Sequence, residues 1–205
     1  VYSAAEEGGD PQALLDTFPE LDSAEARALA LQHFATYSAD AAAMPLEAFR
    51  EAAHSAQFDP SALAVTFNVP LDAVFRRLAS LPRSATVPDI GLVCCDAAGA
   101  LLLRKSPSGL ALPWFGAGCP LWPLYTALGT PGFPDRQVIE SEDRAQFTAM
   151  AVAYPTGPLS FERPQMYHAA MLLGARVDQT ATDASLVGTS CRVCARSDCP
   201  ARREP

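Results

Sequence analysis

Three cysteines close to the C-terminus constrain this chain more than any other feature. Cys191, Cys194 and Cys199 follow a C-x2-C-x4-C spacing in a sequence that has 6 cysteines in all. Two sulfurs separated by two residues can point at one centre when the backbone turns between them, and a third sulfur five positions on can reach it too. Zinc and iron–sulfur clusters both prefer such thiolate ligands. The spacing therefore predicts a metal centre, the alternative being ordinary cysteines with or without one disulfide.

A fourth ligand must come from elsewhere in the chain. The histidines lie outside the motif, at positions 33, 54 and 168. Cys94 and Cys95 are adjacent in an apolar run that reads as a strand, so one of them is expected to face the core. Cys119 lies between Gly118 and a proline, and these neighbours allow close approach to a bulky centre and fix the turn. We predict Cys119 as the fourth ligand, with a buried thiol as the alternative.

Composition limits the class of protein. The chain has 205 residues, of which 49% are hydrophobic and 19% charged, as in ordinary globular domains. Its apolar runs are shorter than a bilayer span and no signal-peptide pattern opens it, so the cysteines predict a reducing cytoplasm rather than a disulfide framework. The net charge of −8 would repel phosphate backbones, so this segment by itself is not expected to bind DNA. The absence of an initiator methionine predicts a fragment of a longer chain.

The hydrophobic pattern predicts an α+β fold in three parts: a polar lead (1–22), a helical subdomain (23–83), and a strand-rich subdomain that ends in the cysteine-rich tail (84–205). The segment at 165–174 is apolar throughout and could be strand or helix. Helices are predicted at 24–42, 45–54, 61–67, 70–81 and 121–128, and strands at 87–95, 99–105, 136–141 and 145–154.

Few other residues indicate chemistry. Arg104 and Lys105 end the second predicted strand and could meet an anionic ligand, or could be a solvated strand end. His168 has apolar neighbours, so it is either a hydrogen-bonded core residue or part of a ligand pocket. The sequence shows no nucleophile–base pair at a recognisable spacing and no phosphate-binding glycine loop, so we do not expect an enzyme.

Four stretches together carry a resemblance to a known family. They resemble the C-terminal half of the short-chain fatty acyl-CoA responsive transcriptional regulators, over roughly residues 25–205. The stretches are Phe67-Asn-Val-Pro-Leu-Asp-Ala-Val-Phe-Arg-Arg-Leu78, Ala98-Gly99, Gly118-Cys119-Pro-Leu-Trp122 and Val187-Gly-Thr-Ser-Cys191-Arg-Val-Cys194-Ala-Arg-Ser-Asp-Cys199-Pro-Ala-Arg.

The resemblance implies an effector-sensing domain of a bacterial regulator of propionate or acetate metabolism. It implies a [4Fe–4S] cluster held by Cys119 and the three tail cysteines, a homodimer without a membrane anchor, and DNA binding through an N-terminal helix-turn-helix domain that is not in this sequence. It also places the helical part at the end of a metallopeptidase-like region, but the His-Glu-x-x-His zinc motif is not present in this sequence.

A short-chain acyl-CoA is the implied effector. Such a ligand needs apolar walls and cations for its phosphates. The candidate residues are Arg104, Lys105, Trp114, Phe115, Trp122 and His168. The competing interpretation is a structural zinc site in an interaction module without a small-molecule effector, because the spacing of the cysteines separates zinc from iron–sulfur poorly.

Overall fold

The computed structural model describes residue 6, residues 8–175 and residues 183–204. The chain divides into two compact units, Val1–Leu81 and Pro82–Pro205. The first is helical and the second contains a six-stranded sheet followed by the tail. The predicted α+β class is confirmed.

The helices of the first unit begin at residues that satisfy their first free N–H groups. Ser23 accepts from the N–H of Ala26, and Asp59 accepts from the N–H of Ser61. The polar lead also contains a short helix that the sequence pattern did not predict, which Asp10 caps and in which Leu15 is buried. No helix in the described residues is long and apolar enough to cross a membrane. The helices are α1 (Pro11–Leu15), α2 (Ala24–Ala43), α3 (Leu46–Ser55), α4 (Pro60–Phe67) and α5 (Leu71–Ser80).

A buried arginine ties α5 to the rest of the first unit. Arg77 donates to the carbonyl oxygen of Met44 at 2.9 Å and to the Glu6 carboxylate, and its Nη1 lies 3.2 Å from the Tyr37 hydroxyl. Its hydrogen bond and charge lower the pKa of Glu6, against the effect of burial. A buried guanidinium needs such partners, because an unpaired charge in the interior is very costly.

The second unit is built on one sheet with the strand order β2-β1-β5-β4-β3-β6. Its neighbours are antiparallel except for β3 and β6, which run parallel. The ambiguous segment at 165–174 is a strand. It pairs with β1 on one side and β4 on the other, and a strand buried between two neighbours reads as a continuous apolar run. The strands are β1 (Ile90–Cys95), β2 (Leu101–Lys105), β3 (Asp135–Glu140), β4 (Gln146–Pro155), β5 (Tyr167–Ala175) and β6 (Ser185–Leu186).

One helix, α6 (Pro123–Gly129), packs on one face of this sheet, against β4 and β5. The strands present small side chains there, which lets the helix approach closely. Proline occupies the first helical position, where its missing N–H has no cost. The alanines that face this core are Ala149, Ala151, Ala153 and Ala169. Because α6 begins directly after the loop that carries Cys119, its packing fixes where that thiol lies.

Candidate metal centre

The structure brings the four predicted cysteines to one place. Cys119 comes from the loop before α6, and Cys191, Cys194 and Cys199 come from the tail. All four line one cavity of about 10 Å³. A space of this size accommodates about one water molecule.

The loop that carries Cys119 is held by two hydrogen bonds and by the close approach of Gly118 to Trp122. The hydroxyl oxygen of Tyr125 accepts from the backbone N–H of Gly118 at 2.7 Å, and the N–H of Trp122 donates to the carbonyl oxygen of Cys119 at 3.0 Å. A Cβ at position 118 would lie 2.1 Å from a ring carbon of Trp122. Only glycine therefore fits between the loop and the indole, which explains the Gly-Cys step in the sequence.

Trp122 also joins this loop to the start of the tail. Its indole Nε1–H donates to the carbonyl oxygen of Gly188 at 3.1 Å, and the whole side chain is fully buried. The Thr189 hydroxyl donates to the carbonyl oxygen of Ala111 at 3.2 Å, which adds a second link. We expected Trp122 to form a wall of a ligand site. The structure places it in the core instead, where a buried indole N–H needs an acceptor.

Gly188 lies directly against the cysteine cavity. A Cβ at this position would be 2.9 Å from the sulfur of Cys194 and 3.1 Å from Oε1 of Glu142. These separations are shorter than ordinary contacts, so the tail backbone can pass here only without a side chain. Sequence reasoning missed this role, although the glycine stands three residues before the first tail cysteine.

Two arginines supply positive charge at the cavity. Arg202 and Arg196 both line it, and Arg202 Nη1 also donates to the carbonyl oxygen of Cys194 at 3.3 Å. The backbone N–H of Arg196 donates to the Cys194 sulfur and lowers the pKa of that thiol. Partial burial, the Glu142 carboxylate and Cys119 outweigh this effect, so the pKa is raised overall. The guanidinium groups favour thiolates and an anionic centre, whereas Glu142 opposes them.

The donor chemistry fits a thiophilic centre. Four thiols converge without a competing histidine, which is the ligand set of both zinc–thiolate and cubane iron–sulfur sites. Within the described residues, however, no three Cys, His, Asp or Glu side chains stand close enough together to hold a single ion. A single zinc ion would therefore require the thiols to move closer together. Cys119, Cys191, Cys194 and Cys199 are the residues that would hold either centre.

The remaining cysteines are core residues of the sheet. Cys94 and Cys95 lie next to each other on β1 and therefore face opposite sides, yet both are buried. Burial raises the pKa of Cys95 to about 11. We expected one of the two to face the core, and the structure buries the other as well.

The predicted ligand residues fall into separate groups. Arg104 donates to the carbonyl oxygens of Pro113 and Trp114, so it fixes the turn that holds Trp114 and Phe115 in solvent, at 83% and 90% exposed. Lys105 is the next residue on β2 and faces the other side of the sheet. Its pKa is lowered by burial and by Arg83, against the attraction of Asp89.

His168 lies on β5, opposite Tyr154 on β4. Their ring centroids are 6.1 Å apart in an edge-to-face arrangement. Strand alternation places His168 on the face of the sheet away from α6, since its neighbour Ala169 belongs to the core under that helix. The structure therefore groups Arg104 with Trp114 and Phe115, and leaves the histidine with a tyrosine.

Comparison with known proteins decides the family. Residues 80–205, more than half of the chain, match the model of the C-terminal domain of the short-chain fatty acyl coenzyme A regulators. The chain belongs to this family. The predicted recognition is confirmed, and the match includes all four cysteines of the cavity.

Several relatives support the assignment. A propionyl-CoA carboxylase regulator of Cereibacter sphaeroides is 32% identical over 208 residues, covering 95% of this chain and 44% of the relative. The HTH-type transcriptional regulators RamB and PrpR of Mycobacterium tuberculosis are 28% and 29% identical, covering 97% and 89% of this chain and 45% and 40% of their own lengths. The chain thus spans less than half the length of the curated relatives it matches. These relatives are regulators and not enzymes, as expected.

A solved structure has the same fold. The structure of a Mycobacterium tuberculosis transcriptional regulator is similar with a TM-score of 0.77 and 26% identity, covering 95% of this chain and 63% of the other. This similarity extends over both units, so the helical unit, most of which precedes the matched regulator domain, also has a counterpart in that structure.

Proposed function

We propose that this chain is the effector-sensing part of a bacterial transcriptional regulator of propionate or acetate metabolism. In this proposal it binds a short-chain acyl-CoA and carries a [4Fe–4S] cluster on Cys119, Cys191, Cys194 and Cys199. The regulator works as a homodimer in the reducing cytoplasm, and DNA binding belongs to an N-terminal helix-turn-helix domain of the longer protein.

The observation that carries the proposal is the convergence of four thiols from two distant segments beside two arginines. Metal binding at such a site links the loop before α6 to the end of the chain. Residues 187–204 have turns and no helix or strand of their own, so few backbone hydrogen bonds hold this part of the tail. The free energy of metal binding therefore becomes folding free energy of the tail.

Sensing requires a difference in affinity between two states. An acyl-CoA can shift the arrangement of a dimer only by as much as it binds one arrangement better than the other. The exposed Trp114 and Phe115 offer apolar surface for the acyl and pantetheine portion, and Arg104 holds their turn in place. Lys105 and His168 remain candidates for further contacts with the effector.

Iron and sulfide analysis of anaerobically purified protein tests the cluster. We expect iron and acid-labile sulfide in equal amounts, with broad visible absorbance, and loss of both in Cys119→Ala and Cys194→Ala. Cys95→Ala is the matched control, since it removes a buried thiol that lies outside the cavity. Full cluster content in Cys119→Ala would show that the fourth ligand is wrong.

The same preparation separates the cluster from the alternative of a structural zinc site. A colourless protein that contains zinc in stoichiometric amount, lost in both cavity variants and kept in Cys95→Ala, would identify a zinc-stabilised interaction module.

Calorimetric titration with acetyl-CoA and propionyl-CoA tests the effector. We expect Phe115→Ala to weaken binding at least about tenfold, because an aromatic contact of this size contributes more than about 1.4 kcal/mol. Phe133→Ala is the control, since Phe133 is also exposed but lies in a different turn. A sensor should bind without releasing free CoA thiol, so thiol release would indicate a thioesterase instead.

A further inference from the structure

A second, larger pocket adjoins the cysteine cavity. Its volume is about 490 Å³, within the range of small-molecule sites, which is about 300–1,000 Å³. Three segments meet there: the residues that follow Cys119, the β3–β6 edge of the sheet, and the tail. The residues that matter for its chemistry are Pro120, Leu121, Gln137, Ser185, Leu186 and Arg196.

The lining has one cationic residue and an apolar wall. Arg196 is the only charged side chain among the described residues that line the pocket. Its Nη1 donates to the carbonyl oxygen of Leu186 at 2.9 Å, which leaves other N–H donors of the guanidinium for a ligand. Gln137 already donates to the Asp135 carboxylate at 2.7 Å. Leu121 and Leu186 supply apolar surface. A pocket with one guanidinium and an apolar wall selects an anion that has a compact apolar body.

Two residues line both the pocket and the cysteine cavity. Pro120 directly follows Cys119, and Arg196 reaches the pocket with its side chain while its backbone N–H donates to the Cys194 sulfur. An anion that binds the remaining N–H donors of the guanidinium pulls on this side chain and shifts the residue. Hydrogen bonds to ligand sulfurs tune the stability and potential of a thiolate centre, so a shift of the Arg196 backbone changes the centre.

We propose that this pocket binds a small organic monoanion and that Arg196 couples its occupancy to the thiolate centre. The binding half stands on the pocket alone, whereas the coupling half rests on the proposed metal site. Coupling is reciprocal, so loading the centre changes the affinity for the anion by the same factor as the anion changes the affinity for the metal.

Calorimetric titration of the purified chain with benzoate tests the binding half. We expect a Kd near or below about 1 mM, with benzamide, the neutral counterpart, at least about tenfold weaker. Arg196→Gln should weaken benzoate binding by a similar factor, and Ser185→Trp should abolish it by filling the pocket. Arg192→Gln is the control and should bind within about twofold of the parent, since Arg192 is an exposed partner of Glu204.

Equal binding of benzoate and benzamide, or parental affinity in Arg196→Gln, overturns the anion site. If Arg196→Gln fails to fold, the Ser185→Trp variant tests where benzoate binds. Full benzoate binding in that variant shows that the anion does not bind in this pocket and overturns the proposal. Binding of benzoate only far above the millimolar range also overturns the proposal.

The rate of metal loss to a chelator, with and without benzoate, tests the coupling half. We expect saturating benzoate to change this rate at least about threefold in the parent and less than about 1.5-fold in Arg196→Gln. An unchanged rate in the parent overturns the coupling and leaves the metal site intact. A chain that holds no metal removes the coupling and the proposed cluster together, while the benzoate titration still decides the pocket.

Discussion

Replacement of Trp122 by phenylalanine removes one hydrogen bond that links the Cys119 loop to the tail. The indole Nε1–H donates to the carbonyl oxygen of Gly188 at 3.1 Å, and both groups are buried. Phenylalanine keeps an aromatic ring against Gly118 but leaves that carbonyl without its donor. An unsatisfied buried polar group costs about 1–3 kcal/mol, and the smaller ring leaves a cavity that adds about 1 kcal/mol. We therefore expect the second unit to lose about 2–4 kcal/mol of its free energy of unfolding.

Urea denaturation followed by circular dichroism measures this loss, and chelator-driven release of the proposed metal measures the effect on the proposed centre. Trp114→Phe is the matched control, because it makes the same chemical change at a tryptophan that is 83% exposed. The control should unfold within about 0.5 kcal/mol of the parent. The metal should leave Trp122→Phe faster, since Gly188 precedes the tail cysteines and its position depends on this hydrogen bond.

Two results would refute the reasoning. If Trp122→Phe unfolds within about 0.5 kcal/mol of the parent, the buried hydrogen bond does not hold the tail. If Trp114→Phe destabilises equally, the effect belongs to tryptophan replacement in general.

Three further predictions concern single positions. Gly188→Ala should lower the content of the proposed metal at least about tenfold, because its Cβ would stand 2.9 Å from the Cys194 sulfur. Metal analysis checks this, and Gly129→Ala is the control, since a Cβ there meets nothing within 4 Å. In metal-free protein at neutral pH, Cys95 should react with iodoacetamide at least about a hundredfold more slowly than Cys191, because burial raises the pKa of Cys95 to about 11 while Cys191 is partly exposed. Mass spectrometry of the labelled peptides measures both rates. Equal rates would contradict the burial of β1. Burial and a hydrogen bond with Glu6 raise the pKa of Tyr37 to about 12, so the stability that depends on neutral Tyr37 is present below its ordinary pKa and is lost as pH rises towards 12. Tyr37→Phe should therefore lower the free energy of unfolding by about 1 kcal/mol at neutral pH. In urea titrations at strongly alkaline pH this difference from the parent should shrink, and a larger difference would refute the assignment.

Local chemistry made much of the fold predictable from the sequence. Proline at the first helical position and Ser or Asp caps set the starts of α2, α4 and α6 within a residue or two. The short helix in the lead was missed because a single buried leucine gives no periodicity. The apolar segment that became β5 stayed ambiguous, since burial on both faces removes the alternation that distinguishes a strand.

The candidate ligand residues show where such reasoning stops. Trp122 was chosen because aromatic rings line acyl pockets, yet its environment is set by Gly188, which lies 66 positions later in the sequence. Lys105 and Arg104 were paired because they are adjacent, but adjacent residues on a strand face opposite sides of the sheet.

The sequence by itself determined that three thiols lie close together in the tail, because residue type and spacing are local properties. It also indicated the α+β class through the change of hydrophobic period. Only the tertiary structure decided that Cys119 meets the tail, that Gly188 has no room for a side chain, and that Arg196 lines two pockets. These facts depend on strand pairing and helix packing that join residues far apart in the chain, and no local pattern records such contacts.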